Sequence, residues 1–266
     1  MRIVCREQHS REWMDARCGR VTGSGIARAM AKLSRASGEK KKGDWAAAHD
    51  TYVRELAWEL ITRTPADHYV SKPMELGNQF ESECRIEVWQ TIGIEIEQTG
   101  FVLHPTLDYF GFSPDGYFYD DNGHLCVLEC KVPLLKTHEQ YLLDDVVPEE
   151  YVPQLQAGMC CLPAARGLFA SYAPPDLYPE LPEPFRLFLK WMEPNPVIHR
   201  EMEEAATATM GQATALVKQL SGRYLEAASK ESKSAFREQL EASIDMSEAA
   251  AYAGAMDLID QVEMTP

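Results

Sequence analysis

The apolar positions of the chain change period several times, and the changes mark its elements. From Trp45 to Thr62, Tyr52, Leu56, Glu59 and Leu60 recur at helical spacing among alanines, which predicts an amphipathic helix. A second helix is predicted from about Pro73 to Gln90, with Leu76, Phe80, Cys84 and Val88 every four residues and Pro73 in the first turn. Glu81 lies beside that stripe. The period then falls to two: "IEIEQTGFVLH", "YFGFSPDGYFY" and "HLCVLECKVP" are aromatic, β-branched and alternating, and predict strands. Helical stretches follow near "KTHEQYLLDD" and "PEEYVPQLQAGMCCL", and two later strands at "GLFASYAP" and "FRLFLKWME". From about Val197 onward, Met202, Ala206, Ala213, Val217 and Leu220 repeat near heptad spacing, predicting two or three acidic helices. Upstream, residues 10–33 read as one or two helices broken at "GRVTGSG", and "SRASGEKKKGD" (34–44) reads as a loop.

One of the strand pairs carries the candidate chemistry. "DNG" at 121–123 is a hairpin turn signal, because Asn and Gly tolerate positive φ. A three-residue loop with Gly123 in the left-handed position pairs Asp120 with His124 and sets Asp115 opposite Glu129. Strand side chains alternate, so Glu129 and Lys131 share a face and Cys130 points away. A one-residue slip would move Asp115 to the other face. In the expected register, two carboxylates and an ammonium converge. Such a trio suits a solvated ion-pair face. It equally suits a Mg²⁺ site for phosphodiester hydrolysis, with oxygen ligands for the cation and a lysine to orient a water. "CVL" before Glu129 argues that the acid is not wholly in water, and a buried carboxylate without a cation is costly.

Charge complicates the picture. The 266-residue chain has a formal net charge of −15, a poor start for a nucleic-acid binder. The imbalance is uneven: residues 1–63 hold 13 Lys and Arg against 8 Asp and Glu, residues 64–200 hold 8 against 21, and residues 201–266 hold 5 against 12. A local basic track is therefore available near the N-terminus. The seven cysteines form no C-x-x-C pair, which predicts reduced thiols rather than a disulfide framework. No apolar run has the length of a membrane span, and the N-terminus lacks a signal-peptide stretch, so the expectation is a cytosolic protein.

"SPDG…LECK" resembles the PD-(D/E)-x-K nuclease signature. More of the chain is similar to one branch, the phage lambda exonuclease and YqaJ-type viral recombinases. The similarity runs through "REWMDARCGRVTGSGIARAMAK", "LGNQFESECRIEVW", "FSPDGYFYDDNGHLCVLECKVP" and "THEQYLLDDVVPEEYVPQLQAGM". The resemblance implies an α/β (α+β) fold with a restriction-endonuclease-like core, a mixed central sheet flanked by helices. The nuclease domain would occupy residues 1–199, and residues 200–266 would form an acidic helical extension. It implies Mg²⁺, replaceable by Mn²⁺, held by Asp115, Glu129 and the backbone carbonyl of Cys130. Lys131 would position the nucleophilic water, Glu81 would help complete the metal site, and Gln154 would stand near the centre. Arg17, Ser24 and Ser113 match residues that bind a terminal 5′-phosphate. Arg35, Lys40, Lys41 and Lys42 in the basic loop would contact duplex phosphates without reading sequence. His138 matches the "TH" of this branch without a firm role.

The implied activity is a Mg²⁺-dependent 5′→3′ exonuclease on linear double-stranded DNA that leaves 3′ single-stranded tails. Its implied partners are a single-strand annealing protein and, by family likeness, two further copies in a trimeric ring. An endonuclease on the same core and a non-catalytic DNA-end-binding module are the competing readings. The endonuclease would cut closed circles. A degenerate end-binder usually loses one of Asp115, Glu129 and Lys131, and all three are here.

Overall fold

The computed structural model describes residues 1–66, 72–225, 232–235 and 238. Within these residues, strands and α-helices follow in the order β1 (Arg2–Cys5), α1 (Arg11–Arg17), β2 (Val21–Thr22), α2 (Ile26–Ala29), α3 (Ala47–Thr62), α4 (Lys72–Ile92), β3 (Phe101–Leu103), β4 (Phe110–Phe112), β5 (Gly116–Tyr119), β6 (Leu125–Lys131), α5 (Leu135–Asp144), α6 (Val152–Cys161), β7 (Arg166–Tyr172), β8 (Leu187–Met192) and α7 (Pro196–Leu225). They build two mixed four-stranded sheets, ordered β1-β3-β4-β2 and β5-β6-β7-β8. A single bridge between Glu97 and Tyr117 ties the stretch before β3 to β5.

The hairpin has the expected register. Gly116 pairs with Leu128 and Tyr119 with Leu125, and Gly123 closes the turn at φ 78°. The Gly123 N–H donates to the Asp120 carbonyl at 2.8 Å, and the Asp120 side chain accepts from the Asn122 and His124 amides at 2.9 Å each. Strand β6 then continues parallel to β7. Both its faces are covered, which its apolar run "LCVLEC" requires. Cys126, Leu128 and Cys130 pack with Phe80, Cys84 and Val88 of α4, whereas Val127 joins the main core on the opposite face.

"YFGFSPDGYFY" does not run as one strand. It breaks at Ser113–Pro114–Asp115 and feeds two different sheets, since Pro114 has no N–H to donate to a ladder. Only Phe101–Leu103 of "IEIEQTGFVLH" is a strand. Within residues 10–33, the short β2 stands between α1 and α2, entered through Gly19 at φ 70°. Residues 34–44 form a loop that folds back on itself, with Leu33 N–H donating to Asp44 O at 2.8 Å and Gly43 N–H donating to Leu33 O at 2.9 Å.

Helix α7 is a 30-residue helix within the stretch expected to hold two or three, and most of the chain beyond Leu225 lies outside the described residues. Its stripe Met202, Ala206, Met210, Ala213 and Val217 is buried in the main core with Tyr52, Val53, Leu56 and Leu60 of α3. Among the described residues, no helix is long and apolar enough to cross a membrane.

Candidate active site

Four stretches of the chain deliver the acidic centre. Asp115 leaves the proline break just before β5, and its Oδ2 accepts the Cys130 amide N–H at 2.7 Å. Glu129 and Lys131 lie two residues apart on β6, so both point the same way, and the Lys131 ammonium donates to Glu129 Oε1. Gln154, in the first turn of α6, donates its Nε2 to the same oxygen. The Lys131 ammonium also lies 5.3 Å from the centre of the Tyr151 ring. Glu81 reaches the site from α4 through Arg85, whose guanidinium donates to Glu81 Oε1 at 3.0 Å and to the Asp115 carbonyl at 2.9 Å. Cys130 meets the centre with its backbone alone, and its side chain belongs to the α4 cluster.

Electrostatically the centre is one positive charge short. Glu129 is 0% exposed, and its Oε2 is buried with no hydrogen-bond partner among the described residues. Burial, and then the neighbouring Asp115, push the Glu129 carboxyl up to about 8. Burial also pushes Asp115 up to about 6, against the pull of Lys131. Burial alone would lower Lys131, but Glu129 and Asp115 outweigh it and hold the ammonium above its ordinary value. Two carboxylates, one of them fully buried, thus share one ammonium, a costly arrangement unless a cation joins them. The orphaned Oε2 and the hard-oxygen donor set fit a divalent cation of the Mg²⁺ class.

A second cluster adjoins it. Ser113, two residues before Asp115, accepts through Oγ from Arg17 Nη1 at 3.0 Å and from Trp13 Nε1 at 2.8 Å. The Arg17 guanidinium lies 4.3 Å from the centre of the Trp13 ring. Helix α1 makes this possible: Trp13 and Arg17 stand four residues apart on one face, and Ser10 caps the helix by accepting the Trp13 N–H at 3.1 Å. Ser24 is exposed and bonded to Thr22 Oγ1 at 3.2 Å. Strand β2 pairs parallel with β4 through Thr22 and Gly111. Ser24 and Ser113 are each two residues past that pair, at the same end of the sheet.

The basic loop is placed apart, between α2 and α3. Arg35, Lys40, Lys41 and Lys42 are all exposed, but Lys40 is paired with Asp50 at 2.6 Å. His138 is buried beneath β7. Its ring nitrogens lie 2.8 Å from Ser171 Oγ and 2.8 Å from the Phe185 carbonyl, so it is a satisfied structural histidine. Trp13 and Arg85 escaped the sequence reading. The only local signal for Trp13 was its four-residue spacing from Arg17, and for Arg85 its four-residue spacing from Glu81.

The model of the YqaJ-like viral recombinase domain matches residues 12–164. Among solved structures, an alkaline exonuclease from Laribacter hongkongensis, LHK-Exo, is similar at TM-score 0.68 and 26% identity, over 82% of this chain and 100% of that one. LHK-Exo in complex with dAMP gives a TM-score of 0.70 at 26% identity, with the same coverage. A phage-related exonuclease from Haemophilus somnus 129PT shares the fold at TM-score 0.58 and 14% identity, over 76% of this chain and 96% of that one. A comparison with curated protein sequences gives no match. The matched span holds every side chain gathered around Asp115, from Trp13 to Gln154.

Proposed function

This chain belongs to the YqaJ-like viral recombinase family, and from that premise we propose that it is a Mg²⁺-dependent exonuclease that degrades one strand of linear duplex DNA from its 5′-phosphorylated end. The observation that carries the reading is the two-residue step from Ser113 to Asp115. It sets a guanidinium-and-hydroxyl cluster beside an acidic, cation-deficient centre. Two residues of extended chain span roughly 6.6 Å, comparable to the distance between neighbouring phosphates on one strand. A terminal phosphate on Arg17 would therefore leave the next phosphate at Asp115 and Glu129, and cleavage there releases mononucleotides. A relative crystallised with the mononucleotide dAMP supports this product.

Each side chain has a part. Arg17 grips the terminal phosphate, aided by the hydroxyls of Ser113 and Ser24, and Trp13 holds the guanidinium in place. Asp115, Glu129 and the Cys130 carbonyl would hold the cation, with Glu81 beside them. When bound, it supplies charge neutralisation at the phosphoryl oxygen and an acidified water. Lys131 orients the attacking water and offsets charge in the transition state. Gln154 fixes Glu129 Oε1, leaving Oε2 free to ligate. The basic loop follows the duplex backbone. On this reading the 3′ tails pass to a single-strand annealing protein, and three copies encircle the duplex, with residues 200–266 as an acidic addition to the nuclease domain of 1–199.

Digestion of linear duplexes with 5′-phosphate or 5′-hydroxyl ends, beside a covalently closed circle, tests the proposal with and without Mg²⁺. Mg²⁺-dependent mononucleotide release from phosphorylated ends, with the circle intact, is expected. Arg17→Ala should erase the difference between the two ends. A cut circle would replace the reading with an endonuclease. No cleavage in Mg²⁺ or Mn²⁺ would leave an end-binding module.

A further inference from the structure

A second cluster of metal-ligating side chains lies apart from the carboxylate centre, where the end of β3, the last turn of α6 and the first turns of α7 meet. His104 Nε2 is 3.2 Å from Glu203 Oε1, Cys160 Sγ is 4.0 Å from the same oxygen, and the three ligating atoms all lie within 4.8 Å of one another. In a tetrahedral zinc site, bonds of about 2.0–2.3 Å set neighbouring ligand atoms roughly 3.3–3.7 Å apart. Small side-chain rotations close that gap. We propose that His104, Cys160 and Glu203 form a binding site for a single zinc-class cation, separate from the nuclease centre, that fastens α7 to α6 and β3.

The donor set selects the cation. An imidazole and a thiolate favour zinc over magnesium, whereas the oxygen-only centre at Asp115 favours the reverse. Charge also balances, since a thiolate and a carboxylate together neutralise a dication beside a neutral imidazole. His104 and Cys160 are buried at 4% and 7% exposure, while Glu203 reaches solvent. An open surface depression of about 440 Å³, lined by His104, Cys160, His199 and Glu203 among others, gives access for the cation and for a solvent ligand. His199 stands one turn before Glu203 on α7 and is held at Nε2 by Gln156 Oε1 at 2.8 Å. With a cation on Nε2, the His104 ring must carry its proton on Nδ1. In the cation-free chain that nitrogen accepts the Thr106 N–H at 3.3 Å, so binding moves the ring proton from Nε2 to Nδ1, where Thr106 Oγ1, 3.4 Å away, becomes its acceptor. Burial favours the neutral imidazole and the protonated thiol, so binding expels the Cys160 proton to solvent.

The cluster touches no residue assigned to cleavage, which makes it separable. Chelator-treated full chain, titrated with Co²⁺ as a spectroscopic stand-in, should show a thiolate-to-cobalt charge-transfer band that saturates at one equivalent. The band should persist in Asp115→Asn and vanish in Cys160→Ser. Stoichiometric zinc should displace the cobalt and raise the thermal midpoint of the wild type by about 5 °C, and that of Cys160→Ser not at all. Glu203→Gln, a milder change at a partly exposed position, should weaken zinc binding at least tenfold. Mg²⁺-dependent cleavage should be retained in Cys160→Ser. No thiolate band in the wild type, a band surviving in Cys160→Ser or lost in Asp115→Asn, unchanged zinc binding in Glu203→Gln, or no zinc-dependent midpoint shift would overturn the proposal.

Discussion

Glu129 is fully buried, shares Lys131 with Asp115, and keeps one oxygen without a partner. If that oxygen exists to ligate, Glu129→Gln and Asp115→Asn should each lower cleavage by at least about 10³ while duplex binding, measured without turnover, survives. Substantial Mg²⁺-dependent activity in either variant would remove the assignment. The raised carboxyls give an independent check. The folded Glu129 carboxyl is held near 8, above its ordinary 4.5, so the metal-free folded chain retains a proton that the unfolded chain has lost. Its stabilising contribution is present at low pH and is lost as pH rises through about 8, with Asp115 adding to the loss around 6. Cation binding must displace those protons. Titration of Mn²⁺ at pH 7 in buffers of different ionisation enthalpy should report proton release, with affinity rising from pH 6 to 8. A pH-independent affinity would mean that the carboxyls are not the ligands. At this scale, the facing of Asp115 and Glu129 was legible because a three-residue turn fixes everything downstream of it. Arg85 and Trp13 were not assignable, because their decisive partners, Asp115 and Ser113, lie 30 and 100 positions away. The trio of His104, Cys160 and Glu203 was equally hidden, scattered over three elements with no local spacing.

Among the elements, the hairpin of β5 and β6 positions both acids and offers a clean separation of stability from chemistry. An added Cβ at Gly123 meets nothing within 4 Å, yet the backbone there has φ +78°. Gly123→Ala should therefore destabilise the fold by about 1 kcal/mol through backbone strain alone, read from urea unfolding, with cleavage per folded molecule unchanged. A fall in that specific activity would show that the turn, and not only the strand register, holds Asp115 against Glu129. The long periodic helices and the strands from β5 to β8 were readable because burial imposes a sustained period. Strands β1 and β2 were not: with four and two residues, neither is long enough to show a period. The single strand expected across Ser113–Pro114–Asp115 failed for a stereochemical reason that proline carries openly. That break also turns the chain from the sheet that ends beside Ser113 into the one that carries Glu129 and Lys131. The first C-terminal helix runs unbroken to Leu225 because alanine-rich sequence without a cap or proline gives no internal stop, and most of the stretch expected to hold the others lies outside the described residues.

For the whole molecule, an acidic chain has to approach a polyanion, and the charge must be arranged to allow it. The net of −15 is concentrated beyond residue 63, while the first quarter of the chain is net basic. At 0.1 M salt, charges more than about 10 Å apart are largely screened, so the local surface matters more than the total. In the loop after α2, Lys40 is paired with Asp50, whereas Lys41 and Lys42 are exposed with no salt bridge among the described residues. These two are the lysines available for phosphates. Each phosphate contact contributes about 0.9 to the slope of log K against log salt. The double variant Lys41→Ala, Lys42→Ala should thus lower the slope for linear duplex by about 2, with Ca²⁺ in place of Mg²⁺ to hold cleavage in check. The loss should be uniform across sequences, since backbone contacts carry no base information. Lys40→Ala, which removes a lysine already matched by a carboxylate, should change the slope by much less. An unaltered slope in the double variant would mean that the loop faces away from the duplex. The basic track would then have to be sought elsewhere in the first quarter, where Arg11 lies exposed at the start of the helix that carries Arg17.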